Sequence, residues 1–194
     1  MSNNTLITFG ASWPAGCGLV SMEKPYGFHL AKTLKQEFYN YAANATSNDH
    51  MLLQLNQFIA DYPEKVTGST AVFFITSPAR SLYIDYNNVL HEIYPWPDKS
   101  MGDTSYYYYK YLHTPQQETF RLNQSILSLQ KTCTQCKIND YYIIGWNQCD
   151  LSFPGIDQSR IYDKTCAEIL GASVTHDFIN DDPPYMIKGD CHPN

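Results

Sequence analysis

Residues 70–76 read Thr-Ala-Val-Phe-Phe-Ile-Thr, an unbroken β-branched and aromatic run. Continuous apolar runs of this kind suit strands buried on both faces, as in a parallel sheet. Parallel neighbours cannot be joined by a tight hairpin; each needs a crossover, usually a helix. The chain supplies such crossovers. Leu6–Phe9 reads as a first strand, followed by a glycine- and proline-bearing loop from Gly10 to Gly18. Tyr26–Glu37 carries Phe28, Leu30, Ala31 and Leu34 at helical spacing. Phe38–Ala42 is a short second strand. Ser47 or Asn48 would cap a helix with Leu52, Leu53, Leu55, Phe58 and Ile59 on its buried side. Gln116–Thr132 is helical again, with Phe120, Leu122, Ile126, Leu127 and Leu129. Asp140–Trp146 reads as another buried strand, Ile161–Leu170 as a helix and Ser173–Phe178 as a last strand. The alternation predicts an α/β domain with a central parallel sheet and helices on both faces.

Such sheets bind ligands outside the C-terminal ends of their strands. The chemically informative residues fall at those ends. Ser12 follows the first strand, Asn44–Asn48 the second and Thr76–Arg80 the third; Asp190-Cys-His192 follows the last. A serine hydroxyl becomes a strong nucleophile when a histidine removes its proton, and a carboxylate fixes that histidine's tautomer. Ser12, His192 and Asp190 therefore make a candidate triad drawn from opposite ends of the chain. Taken singly, each has a plainer role. Ser12 would be a turn residue, Thr76 a strand-end threonine, Asn48 a helix cap, and Arg80 the partner of a local carboxylate or a clamp for an acidic substrate group.

With 194 residues the chain suits one domain with a sizeable core. A net charge of -6 and a pI near 5.4 argue against a nucleic-acid backbone as partner. No window approaches the 18 or so apolar residues of a membrane-spanning helix, and Met-Ser-Asn-Asn-Thr lacks the basic and apolar regions of a signal peptide. Cytoplasmic synthesis is the expectation. Six cysteines in such a setting read as thiols. Cys133 and Cys136 form a lone Cys-x-x-Cys beyond a helix, where unpaired thiols in a turn are expected. Neither Asp49-His50 nor His176-Asp177 has a spacing that fixes a metal, so no metal or cofactor is expected.

Four short blocks spread over most of the chain resemble the SGNH or GDSL hydrolases, esterases and lipases with a flavodoxin-like, three-layer α/β/α fold. Phe9-Gly-Ala-Ser12 stands where the family shows Gly-Asp-Ser, and the resemblance implies Ser12 as nucleophile. In Asn40-Tyr-Ala-Ala-Asn-Ala45-Thr-Ser-Asn48, the family places a glycine, whose N–H serves the oxyanion, where Ala45 stands. Alanine keeps that donor if its backbone can adopt the required conformation. The third block, Phe74-Ile-Thr-Ser-Pro-Ala-Arg80, replaces Gly-x-Asn-Asp. Thr76 takes the position of the oxyanion-binding Asn, with Asn48 as a rival donor. The Thr-Ser-Pro-x-Arg pattern looks like a divergent branch met in viral genomes. Asp190-Cys-His192-Pro-Asn resembles the catalytic Asp and His, with Asp-x-His in place of the common Asp-x-x-His. Family members continue into a helix that packs on the sheet; this sequence stops at Asn194, so it is either a fragment or a member without that helix.

The stretch 81–115, with Tyr94-Pro-Trp-Pro and Ser105-Tyr-Tyr-Tyr-Tyr-Lys-Tyr, breaks the alternation and reads as an insertion. Its aromatics suit stacking on sugar rings or a small core of their own. The expectation is an esterase or deacylase acting on a small-molecule or glycan ester, O-acetylated carbohydrate included. A decayed hydrolase fold serving as a binding or virion-associated module is the second reading. A phosphodiester-directed hydrolase using Arg80 is the third.

Overall fold

The computed structural model describes residues 4–17, 19, 23–93, 104–145 and 149–169. Four strands form one wholly parallel sheet in the order β2-β1-β3-β6: β1 is Thr5–Gly10, β2 Glu37–Asn40, β3 Thr70–Ile75 and β6 Asn139–Ile144. The two central strands are the most apolar, and every residue of β1 is buried. The alternation of side chains sorts them to two faces. On one face Ile7, Phe9, Ala71, Phe73, Ile75, Tyr142 and Ile144 pack against α3 (His50–Asp61) and α6 (Pro115–Cys136). On the other, Leu6 and Val72 meet Leu30 and Ala31 of α2 (Tyr26–Leu34). The predicted three-layer α/β/α architecture is thus present.

Several boundaries moved, each for a local reason. The loop after β1 contains a one-turn helix, α1 (Ser12–Ala15), closed by Gly16 in the left-handed conformation. Helix α2 stops at Leu34 rather than Glu37, because Lys35 turns left-handed (φ 56°) and Glu37 begins pairing with Thr5. Helix α3 lacks the expected Ser47 or Asn48 cap; its buried side is Met51, Gln54, Leu55 and Phe58, while Leu53 is exposed. A short helix, α4 (Pro63–Val66), leads into β3. Helix α6 runs on to Cys136, so Cys133 and Cys136 lie in its last turn, not beyond it, and both are free. Phe120 points outward rather than into the core.

The Ile161–Leu170 helix is replaced at its start by extended chain. Ile161 bridges Tyr142 in parallel, and the Tyr162 N–H donates to the Tyr142 carbonyl at 2.9 Å. The helix proper, α7 (Cys166–Ile169), starts where Thr165 and Glu168 form a reciprocal capping box: the Glu168 N–H donates to Thr165 Oγ1 at 3.1 Å and the Thr165 N–H to the Glu168 carboxylate at 2.6 Å. Ser173–Phe178 and Trp146 lie outside the described residues.

The described residues of the 81–115 stretch include an antiparallel hairpin, β4 (Ser81–Ile84) with β5 (Leu90–Ile93), and a helix, α5 (Thr104–Tyr111). Among the described residues, no helix is long and apolar enough to cross a membrane.

Candidate active site

The site begins with a bend that only glycine can make. Gly10 ends β1 at φ 131°, and a Cβ there would lie 2.7 Å from the Phe74 carbonyl oxygen of the neighbouring strand. The chain turns sharply over β3 and enters α1, whose first residue is the half-buried Ser12. Two side chains hold the bend. Gln54 reaches back from α3, accepting from the Gly10 N–H at 3.2 Å and donating to its carbonyl at 3.4 Å. Asn40, at the end of β2, accepts from Thr8 Oγ1 at 3.0 Å and donates to the Pro14 carbonyl at 2.9 Å, which ties down the helix carrying Ser12. The Trp13 ring lies 5.5 Å from Phe74, on the sheet face opposite α3.

The loop after β2 is fastened to the same edge residue by residue. The Ala43 N–H and Thr46 Oγ1 both donate to the Gly10 carbonyl at 3.0 Å. Ala45 has φ 61°, the left-handed conformation that glycine adopts freely and alanine does not. Arg80 Nη1 donates to the Thr46 carbonyl at 3.3 Å. Asn48 makes a two-way bridge to Thr76 at the end of β3: its Nδ2 donates to the Thr76 carbonyl at 3.1 Å, and its Oδ1 accepts from the Thr76 N–H at 2.9 Å. Both residues are buried. One amide hydrogen of Asn48 is thereby used for structure and the second remains for another acceptor.

Five of the seven residues singled out from the sequence therefore converge: Ser12, Ala45, Asn48, Thr76 and Arg80 meet at the C-terminal ends of β1, β2 and β3. Asp190 and His192 lie outside the described residues. The neighbouring Asp49 and His50 each have a charged partner rather than facing a shared ion. Asp49 is paired with Arg121 and accepts from Ser125 Oγ at 2.8 Å, and His50 Nδ1 meets Glu92 at 2.8 Å. Among the described residues, no group of three or more His, Cys, Asp and Glu side chains gathers as a metal ion needs. Burial pushes the Cys149 and Cys166 thiols up to about 11, so neither is a thiolate near neutrality.

Sequence reasoning passed over Gln54, Asn40 and Glu92. Gln54 had a signal: it is a polar residue on the face of α3 that also presents Met51, Leu55 and Phe58. Asn40 opened the second block but stood outside the positions compared. Glu92 gave none, because its contact depends on how the β4–β5 hairpin docks. Helix α5 packs against the site. Tyr109 Oη donates to the Ala79 carbonyl and to that of Ile93, and burial holds its phenol neutral well above neutrality.

No family model and no curated protein matches the sequence. Solved structures do match in shape. The esterase EstA from Pseudoalteromonas sp., in a form inhibited by monoethylphosphonate, superposes with a TM-score of 0.52 at 14% identity, over 98% of this chain and 88% of that one. TesA gives 0.48 at 11% identity, over 98% and 89%. A GDSL-like lipase from Parabacteroides merdae gives 0.39 at 12% identity, over 84% and 68%. The fold class is thus the flavodoxin-like α/β/α sandwich that EstA has. At such identity the likeness speaks for the fold.

Proposed function

We propose that the chain is a serine hydrolase that cleaves carboxylic esters. The observation that carries this reading is the backbone at Ala45. Where the resembled hydrolases keep a glycine to aim an N–H at the oxyanion, this chain keeps the glycine-like conformation although the residue is alanine. A left-handed alanine is disfavoured by about 1 kcal/mol, and strain of that kind persists where neighbouring contacts impose it. Ser12 stands in the loop to which this segment is bonded.

In the proposed reaction Ser12 Oγ attacks the ester carbonyl carbon while His192 takes its proton. Asp190 orients the imidazole. The Ser12 and Ala45 N–H groups, with Asn48 or Thr76, receive the charge that develops on the carbonyl oxygen. His192 returns the proton to the leaving alkoxide, and water releases the acyl group by the same steps in reverse roles. An acylated carbohydrate is the proposed substrate class. Tyr106, Tyr107 and Tyr111 are exposed on α5, which docks through Tyr109 beside the third block, and exposed tyrosine faces suit sugar rings. EstA's inhibition by a phosphonate suggests the probe.

A fluorophosphonate should label Ser12, mapped by mass spectrometry. Ser12→Ala should abolish both labelling and hydrolysis of p-nitrophenyl acetate. His192→Ala should lose nearly as much, since the two act as one unit, and Asp190→Asn less. Hydrolysis that survives Ser12→Ala refutes the mechanism; a folded parent that neither labels nor hydrolyses favours the binding-module reading.

A further inference from the structure

Among the described residues, two side chains outside the parallel sheet hold the 45–48 loop: Arg80 on the Thr46 carbonyl, and Glu92 of the hairpin on the Ser47 N–H. Glu92 sits on β5 opposite Leu82, and its largely buried carboxylate spans two groups. One oxygen accepts from the Ser47 N–H at 3.0 Å and the other meets His50 Nδ1 at 2.8 Å. Ser47 is itself buried, at 1% exposure, so its N–H has little access to water and depends on Glu92 for a partner. The carboxylate also lies at the N-terminal end of the twelve-residue α3, where the helix dipole favours negative charge. The hairpin is fixed independently at its far strand. Ser81 Oγ bonds Tyr108 Oη at 3.0 Å and takes a bond from Arg121, which is paired with Asp49 at the same helix end.

We infer that Glu92 is a positioning residue for the hydrolytic site: it holds the Ser47 N–H, and through it the left-handed Ala45 two residues earlier, so that the Ala45 N–H faces the developing oxyanion. This rests on the ester-hydrolase reading. Thr46 is bonded to the end of β1 and Asn48 to the end of β3. Ser47 lies between them; of the peptide that joins Thr46 to Ser47, Arg80 holds the carbonyl at 3.3 Å and Glu92 the N–H, so without Glu92 that N–H loses its partner and the peptide can tilt about the remaining bond. A backbone donor that swings by even part of an ångström loses much of its value to the transition state. The ground-state ester makes little use of that donor, so the loss should appear in kcat.

The test compares Glu92→Ala and Glu92→Gln with the parent on p-nitrophenyl acetate, well below the melting temperature of each. Glu92→Ala should lower kcat about tenfold or more with KM little changed. It should also slow fluorophosphonate labelling of Ser12 and speed hydrogen exchange at the Ser47 amide. Glu92→Gln should recover most of kcat, because its carbonyl oxygen still accepts from Ser47. His50→Ala leaves that bond in place and should cost less than Glu92→Ala. Glu92→Ala with parental kcat, or with Ser47 exchange unchanged, overturns the inference while Ser12 labelling leaves the hydrolase reading standing. Glu92→Gln as slow as Glu92→Ala overturns it too. A folded parent whose Ser12 does not label removes the hydrolase reading, and this inference with it.

Discussion

Replacing Asn48 by alanine separates structure from catalysis at the site. The change removes both partners of the Thr76 backbone, the acceptor 2.9 Å from its N–H and the donor 3.1 Å from its carbonyl. Thr76 is 8% exposed and Asn48 4%, so bulk water does not simply take over. A buried backbone group left without a partner costs about 1–3 kcal/mol, and there are two. The space vacated by the amide is near the size of a water molecule, which would recover part of that loss. The expected destabilisation is therefore about 2 kcal/mol, or roughly 4–8 °C in Tm for a chain of this length. Thermal unfolding followed by circular dichroism measures it. Kinetics measured well below Tm then read the second amide hydrogen: if it reaches the oxyanion, kcat falls a further 10² or so with KM nearly constant. Asn48→Asp sharpens the result. It keeps the acceptor for the Thr76 N–H but places a carboxylate oxygen against the Thr76 carbonyl, so it should be no more stable than alanine. An Asn48→Ala protein with unchanged Tm would refute the bridging role, because the change removes two buried bonds at once.

Two further outcomes follow from the same geometry. Ala45→Gly should preserve activity and hold or slightly raise Tm, since relief of the left-handed backbone offsets the freer unfolded chain; Ala45→Val, β-branched at φ 61°, should lower Tm and kcat together. Asp85 at the hairpin turn accepts from the Val89 and Asn87 N–H groups and meets His91, which holds its carboxyl below the usual carboxylate range. A depressed acid stabilises the folded form above the unfolded pKa of about 4, and that support is lost as pH falls through the lower folded value. Amide exchange in β4 and β5 should accordingly rise below about pH 4, and Asp85→Asn should flatten that response.

The sheet was legible because its central strands are buried on both faces and leave continuous apolar runs; Thr70–Ile75 and Asn139–Ile144 fell close to where the pattern put them. The loops bearing Ser12, Ala45, Asn48 and Thr76 were legible by position, since a parallel sheet collects its strand ends on one edge. What the residues do there was less so. Asn48 looks like a cap because asparagine before a helix usually is one, yet its amide spans to another strand, a contact separated by 28 residues. The end of α2 at Lys35 and the capping box at Thr165 are decided by backbone conformation and a reciprocal pair, against an apolar period that continues past both. Tertiary pairing overrides propensity at such boundaries.

Alanine at position 45 changes what the rest of the loop must do. A glycine in the left-handed region needs no external support, since it occupies that region about as readily as any other. Alanine must be held there against a preference of about 1 kcal/mol, and the backbone on either side of it is the only handle. That places the burden on Ala43, Thr46, Ser47 and Asn48, and each is bonded: to Gly10, to Gly10 again, to Glu92 and to Thr76. Two of those anchors are the last residue of β1, the third is the residue after β3, and the fourth is Glu92 of the hairpin. Ala45→Gly should therefore make the hairpin's anchor less necessary: Glu92→Ala in an Ala45→Gly background should cost less kcat than in the parent. A double-mutant cycle on kcat measures that coupling directly. Strictly additive losses would mean that the Glu92 contact and the backbone at Ala45 are independent.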